Sequence, residues 1–387
     1  MKKEQSALVR SLSASCMVSG LALGLLGGTA FGAADVAPPG RSIGYVVTNI
    51  QWAVYQAKDA QGKETKAECP NGINDGAREQ FATLFPPGGK KLKMAETQIA
   101  REAEIWWPTP AADQFDFHEA SGPTSYGLDL DGKVKSTDFT SPDGKPGVDN
   151  QLFRAIGCIL NHREGSSLVL FERNFHWSNN INRLLIELTD VDSLVNDDDV
   201  TITTYRGRDM LVWDAAGGFQ AGGSQRIDTE WGQDFIHHGK GKIVNGVLVT
   251  TPPLDELVWP QQVVHNEATT YLMRGARFDL KLTPEKAVGF IAGYADVESF
   301  YRSINRRWST HQISYGKTPS ASLYKALRRL ADGYPDQETG ENTGISAAID
   351  VKMTQVRILH PEKEISVIEP APSAKQTAES TSNATAK

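Results

Sequence analysis

Between residues 166 and 294 the chain breaks into short β-rich runs, and that rhythm constrains the fold more than any other feature. The runs are "SSLVLFERNF", "NRLLIELTDV", "DVTITTYRGR", "GGFQAGG", "GKIVNGVLVTT", "TTYLMRGARFDLKLT" and "AVGFIAGYA". Glycine, asparagine, aspartate and proline punctuate them, as turn residues punctuate strands. "TITTY" and "RFDLKL" alternate apolar and polar residues, the pattern of half-buried antiparallel strands. The spacing predicts a mainly β fold: a two-sheet antiparallel β-sandwich of jelly-roll or concanavalin-like type, with several flanking helices.

The segments on either side read differently. Residues 35–165 predict an N-terminal strand and helix region packed on the sandwich. In it, "SIGYVVTNIQWAVYQA" at 42–57 reads as a strand, and 77–85 and 90–106 read as helices. Residues 118–150 form a long loop of Gly, Pro, Asp, Ser and Thr, a length that is usually functional or tied down. A helix follows over 149–160, with Asp149 as its N-cap and Leu152, Ile156 and Leu160 on one face. Residues 295–360 predict a helical segment and a returning strand. Asp296 caps "VESFYRSINRRW", Ser320 caps "SASLYKALRRLADG", and "ISAAIDVKMTQVRIL" pairs back into the sheet. Residues 361–387 almost lack large apolar side chains and predict a disordered tail.

Residues 1–34 carry an export pattern. Lys2, Lys3 and Arg10 precede a short apolar, glycine-rich core that ends in small residues. The core is shorter than the ~20 residues a membrane span needs, and no second stretch is apolar enough to cross. The expected location is therefore periplasmic or extracellular, in or around a bacterium. Two cysteines follow the leader, Cys69 and Cys158. In an oxidising compartment they predict one disulfide, with two buried free thiols as the alternative. The full chain has a formal charge of −7, and loss of a basic leader makes it more acidic. Short basic clusters on an acidic chain exclude a nucleic-acid partner, which would need clustered Lys and Arg.

Asp129, Asp131, Asp138, Asp143, Asp149 and Asn150 lie close together in the long loop. Hard cations want six to eight oxygens, and an Asx-rich loop with glycine turns supplies them. "GLDLDGKVKSTD", residues 127–138, resembles an EF-hand calcium loop, with Asp129, Asp131, Gly132, Val134 and Asp138 on matching positions. Gly127 stands where that family has its first Asp, and Asp138 replaces the usual Glu. The resemblance covers only residues 127–138, whose flanks are not helices; the density of oxygens across 129–150 points instead to a looser, extracellular type of Ca2+ loop with all six residues as ligands. The alternative is that Asp131-Gly132 and Asp143-Gly144 are ordinary turns.

"QRIDTEW", residues 225–231, resembles the E-x-D-x-E strand of laminarinase-like retaining glycosidases. The resemblance implies that Asp228 is the assisting acid and Glu230 the general acid/base. Arg226 occupies the nucleophile position, and a guanidinium cannot attack an anomeric carbon. His237 and His238 are adjacent, so on a strand they face opposite ways. Trp177, Trp213, Trp231 and Trp259 fill a core or form a sugar platform. These readings favour a non-enzymatic binding or structural role in the envelope, stabilised by calcium, with a glycan or an envelope protein as partner. Trp52, Trp106 and Trp107 are the candidate contacts in the second case. The alternative is a carbohydrate-active enzyme, a hydrolase or lyase, or a glycan-binding module.

Overall fold

Eight strands carry the architecture, and each turns back on the one before it. The computed structural model describes residues 37–74, 99–101, 104–106, 117–180, 183–230, 232–260, 270–306 and 320–361. The export segment expected over 1–34, the helix expected at 77–85, the tail expected beyond 361, and Trp107 and Trp231 lie outside those residues. The strands are β1 (Ser42–Trp52), β2 (Arg183–Thr189), β3 (Asp197–Gly207), β4 (His237–Val244), β5 (Val247–Thr250), β6 (Thr270–Leu282), β7 (Lys286–Asp296) and β8 (Asn342–Leu359). Each pairs antiparallel with the next. Finally β8 pairs with β1, from Gly44↔Val356 to Trp52↔Ile349.

That last pairing overturns the sandwich. Among the described residues the main sheet is not two facing layers; it closes on itself as an eight-stranded antiparallel barrel. The alternation in the strands was read correctly as one buried face and one outer face. Alternation is common to sandwiches and barrels, and only the β1–β8 register separates them. Every second side chain meets in one core: Ile43, Tyr45 and Val47; Leu184, Ile186 and Leu188; Ile345, Ala347 and Ile349. Eight strands leave an interior that side chains can fill. Two glycines set its fit, since Gly239 and Gly241 lie opposite Ile202 and Val200. A Cβ on Gly241 would come within 2.8 Å of Ile202 Cδ1.

Asn245 and Gly246, both at positive φ, make the tight β4–β5 turn. The strand Leu254–Pro260 pairs with the first half of β6, beyond the reach of β5. Val297, Phe300 and Ile304 of one late helix join the interior core, as do Leu323 and Leu327 of another. Trp52, Trp259, Tyr271 and Phe300 meet there with ring centroids 5.2 to 5.9 Å apart. Trp52 and Trp259 are therefore packing residues.

Among the described residues four α-helices lie outside the strands: α1 (Gln151–Ile156), α2 (Ser167–Ser178), α3 (Val297–Arg306) and α4 (Ser320–Leu330). α2 corrects the strand expected at "SSLVLFERNF". Ser166 Oγ accepts the Val169 N–H at 3.3 Å and starts a helix. Its last turn then serves the barrel. β1 has a register shift between Val47 and Asn49, past the end of its pairing with β2. His176 Nε2 lies 3.0 Å from Val47 O, and Trp177 Nε1 donates to Thr48 O at 2.7 Å. Burial, then the Arg183 charge, pushes His176 down to about 4, so its ring is neutral. Of the helix expected over 90–106, residues 99–101 and 104–106 are instead the short paired strands Ile99–Arg101 and Glu104–Trp106, and the rest lies outside the described residues.

Candidate functional site

The long loop is built against the outside of the barrel, not into its end. Small outward residues on the wall, Ala292 of β7 and Ala348 of β8, leave room for Leu130, with Tyr126, Leu128, Phe290 and Tyr294 packed around them. Isolated bridges Leu128↔Asp149 and Phe139↔Val148 fold the loop back on itself. Arg277 of β6 donates from Nη2 to Leu130 O at 2.8 Å and ties the loop to the wall. At the far side, Cys69 and Cys158 form the disulfide, with Cα atoms 5.7 Å apart.

Six residues were expected to share one ion, and the structure gathers three. Ligand oxygens of Asp129, Asp131 and Asp149 lie within 4.8 Å of one another. Asp129 is exposed, and Asp149 is 1% exposed. Asp149 Oδ2 accepts the Leu130 N–H at 2.7 Å, and Asp129 Oδ1 accepts the Gly132 N–H at 2.7 Å. Lys135 pairs with Asp131, which draws the Asp131 carboxyl below its ordinary value. Burial pushes Asp149 up to about 6, against the Leu130 N–H, and the Asp138 and Asp131 charges add to the rise.

The other three acids and amides have local work. Asp138 Oδ2 accepts the Lys135 N–H at 2.6 Å and closes a turn. Asp143 is exposed, bound to Ser141 Oγ and 3.3 Å from Lys145 Nζ. Asn150, not Asp149, is the N-cap of α1: its side chain accepts the Phe153 N–H at 3.2 Å. Its Nδ2 also faces Ala53 O, Ser125 Oγ and Tyr126 O at 2.8 to 3.2 Å. Asn150→Ala is expected to lower stability by about 2 kcal/mol, one lost cap plus buried carbonyls left without a donor. Urea denaturation would measure it, and an unchanged midpoint would contradict this role.

Two clefts flank the Arg277 tie. One, of about 590 Å³, opens between the loop and the wall, with Tyr126, Asp129, Lys145, Arg277, Asp279 and Phe290 on its sides. The other, of about 890 Å³, is shallower and lies near His237, Glu256, Arg274 and Tyr334. His237 and His238 serve structure there. His237 Nε2 accepts the Val258 N–H at 3.0 Å, and His238 Nδ1 lies 3.2 Å from Thr203 Oγ1.

Asp228 and Glu230 sit just past the short strand Gly223–Arg226, which pairs parallel with the end of β8. Asp228 forms an ion pair with Arg206 at 3.1 Å and accepts the Glu230 N–H at 3.1 Å. Arg226 pairs with Asp209. Asp279 escaped the sequence reading as a site residue. Its signal was visible only as the outward position of "RFDLKL", and nothing in the sequence places the 126–149 loop above it.

The fold and site together define a closed, side-chain-filled β-barrel with an acidic loop strapped over its wall. The chain matches no protein-family model, no curated protein and no solved structure. The geometry of this chain carries the functional argument. No described helix is long and apolar enough to cross a membrane.

Proposed function

We propose that this is an exported bacterial envelope protein with a non-enzymatic binding role, and that calcium fixes its binding loop. The observation that supports it best is the return of the 126–149 loop onto the barrel wall. Asp129, which lines the 590 Å³ cleft, also stands beside Asp131 and Asp149. The packed barrel interior leaves ligands to the outer face. The Cys69–Cys158 bridge fits an oxidising compartment. Calcium at Asp129, Asp131 and Asp149 would satisfy three carboxylates whose one ion pair among the described residues is Lys135 with Asp131. Extracellular loops of this kind bind at about 10⁻⁴ to 10⁻³ M.

Asp149 provides the test. Its folded-state value near 6 lies above its ordinary 3.8. In chelator, unfolding therefore releases protons between those values, and stability falls as pH rises from about 4 to about 6, by about 3 kcal/mol. Asp149→Asn removes that loss. Near neutral pH, excess calcium is expected to raise the wild-type Tm by about 3 °C or more and to leave Asp149→Asn unmoved. Identical wild-type melting curves in chelator and in calcium would remove calcium from the proposal.

A further inference from the structure

On the outer face of the barrel, Asp279 of β6, Phe290 of β7 and Asp350 of β8 stand in one cross-strand row. The Tyr126 ring stacks on Phe290, with centroids 5.9 Å apart and planes 24° apart, and Tyr55 meets Tyr126 edge-on at 5.6 Å. The loop above makes this row half-buried. Among the described residues, nothing donates a hydrogen bond to the Asp279 or Asp350 carboxylate.

A half-buried carboxylate without a donor is costly, since burial disfavours its charged form. Burial raises both carboxyls, the Asp279 value against Lys145 and with Asp143, the Asp350 value against Lys352 and with Glu164. The protein's own cations relieve Asp279 only in part. Lys145 is paired with Asp143, and Arg277 is turned to Leu130 O. Calcium suits the position poorly, because the cross-strand neighbour of Asp279 is Phe290, with Tyr126 stacked on it, where an ion would need six to eight oxygens. Ring faces attract organic cations through their quadrupole, and the attraction strengthens when water is excluded.

Resting on the reading of this cleft as the binding site, we propose that its ligand is a small organic cation, an amine or guanidinium. Its charge lies on the Asp279 carboxylate, and its alkyl part lies along the Tyr126–Phe290 pair. The 590 Å³ cleft holds a molecule of that size.

Calorimetric titration of the purified protein with cadaverine, ethylguanidinium and uncharged maltose tests this, in calcium and in chelator. Both cations are expected to bind saturably, and maltose is not. Asp279→Asn weakens cadaverine about tenfold or more, and Phe290→Leu about threefold to tenfold. The Asp279→Asn melting temperature without ligand stays level or rises, which separates lost binding from lost folding. Saturable maltose binding with no cation binding would overturn the cation and keep the cleft. Absence of any binding would overturn both. Cadaverine affinity unchanged in Asp279→Asn would overturn the assignment to this carboxylate. Calcium-independent cadaverine binding supports the inference while counting against the calcium part of the proposed function.

Discussion

Replacing Cys69 and Cys158 together by alanine is expected to cost about 4 to 5 kcal/mol of stability, measured by urea denaturation. The bridge joins residues 89 apart, and a closed loop of that length removes this much entropy from the unfolded chain. The loss is expected to fall unevenly. Cys69 and Cys158 pack with Ala120, Phe139, Val148 and Phe153 in a small cluster separate from the barrel core. Next to them Arg163 is buried, with Nη2 on Glu64 and Glu68 and Nη1 on Gly157 O at 2.6 Å. Glu68 in turn accepts the Ala57 N–H at 3.1 Å. A buried Arg–Glu pair keeps its value only while its geometry is held.

The disulfide-free variant is therefore expected to open this lobe before the barrel. Native-state hydrogen exchange should show residues 117–160 losing protection below the midpoint at which β6, β7 and β8 unfold. The calcium response of the loop should weaken with it, because α1 carries Asn150 and leads directly from Asp149. A stability change under about 1 kcal/mol, or one cooperative loss across lobe and barrel, would show that the bridge adds little to a lobe held by its other contacts.

The disulfide was legible because an expected oxidising compartment and an even count left one pairing. Most strands after residue 183 were legible from their alternation, but "GGFQAGG" is mostly turns with one isolated bridge at Phe219, and "GKIVNGVLVTT" holds two strands reversed at Asn245-Gly246. Closure was not. β1 meets β8 from the far end of the sequence, and no local pattern in "SIGYVVTNIQW" names its partner. α2 was missed because "SSLVLFERNF" is an apolar run with no clear period, and such runs suit helix or strand. In the acidic loop the acids were legible as a group, but which of them come together was not. Adjacent residues Asp149 and Asn150 go different ways, one to the carboxylate cluster and one to the helix cap, and a single residue's difference in loop register decides which does which. Asp279 and Asp350 look like solvated outward positions until the loop covers them.

Gly289→Ala is expected to be the most damaging single change at the site, costing about 4 kcal/mol or more. Gly289 has φ of +153°, and an added Cβ would lie 2.0 Å from the carbonyl oxygen of Asp279 and 3.0 Å from its carbonyl carbon. No rotamer relieves a contact with backbone, so β6 and β7 must part. They part at the pair Asp279↔Phe290, one residue from the glycine. The same substitution should therefore lower cadaverine affinity even under conditions where the protein stays folded. Gly144→Ala separates strain from collision. Its φ is +90°, but nothing lies within 4 Å of the new methyl, so it should cost about 1 to 2 kcal/mol and leave the affinity alone. Equal costs for the two variants would mean that conformational strain alone explains Gly289. A larger cost at Gly289, with affinity lost there and kept in Gly144→Ala, would tie the close approach of β6 and β7 to the cleft above it.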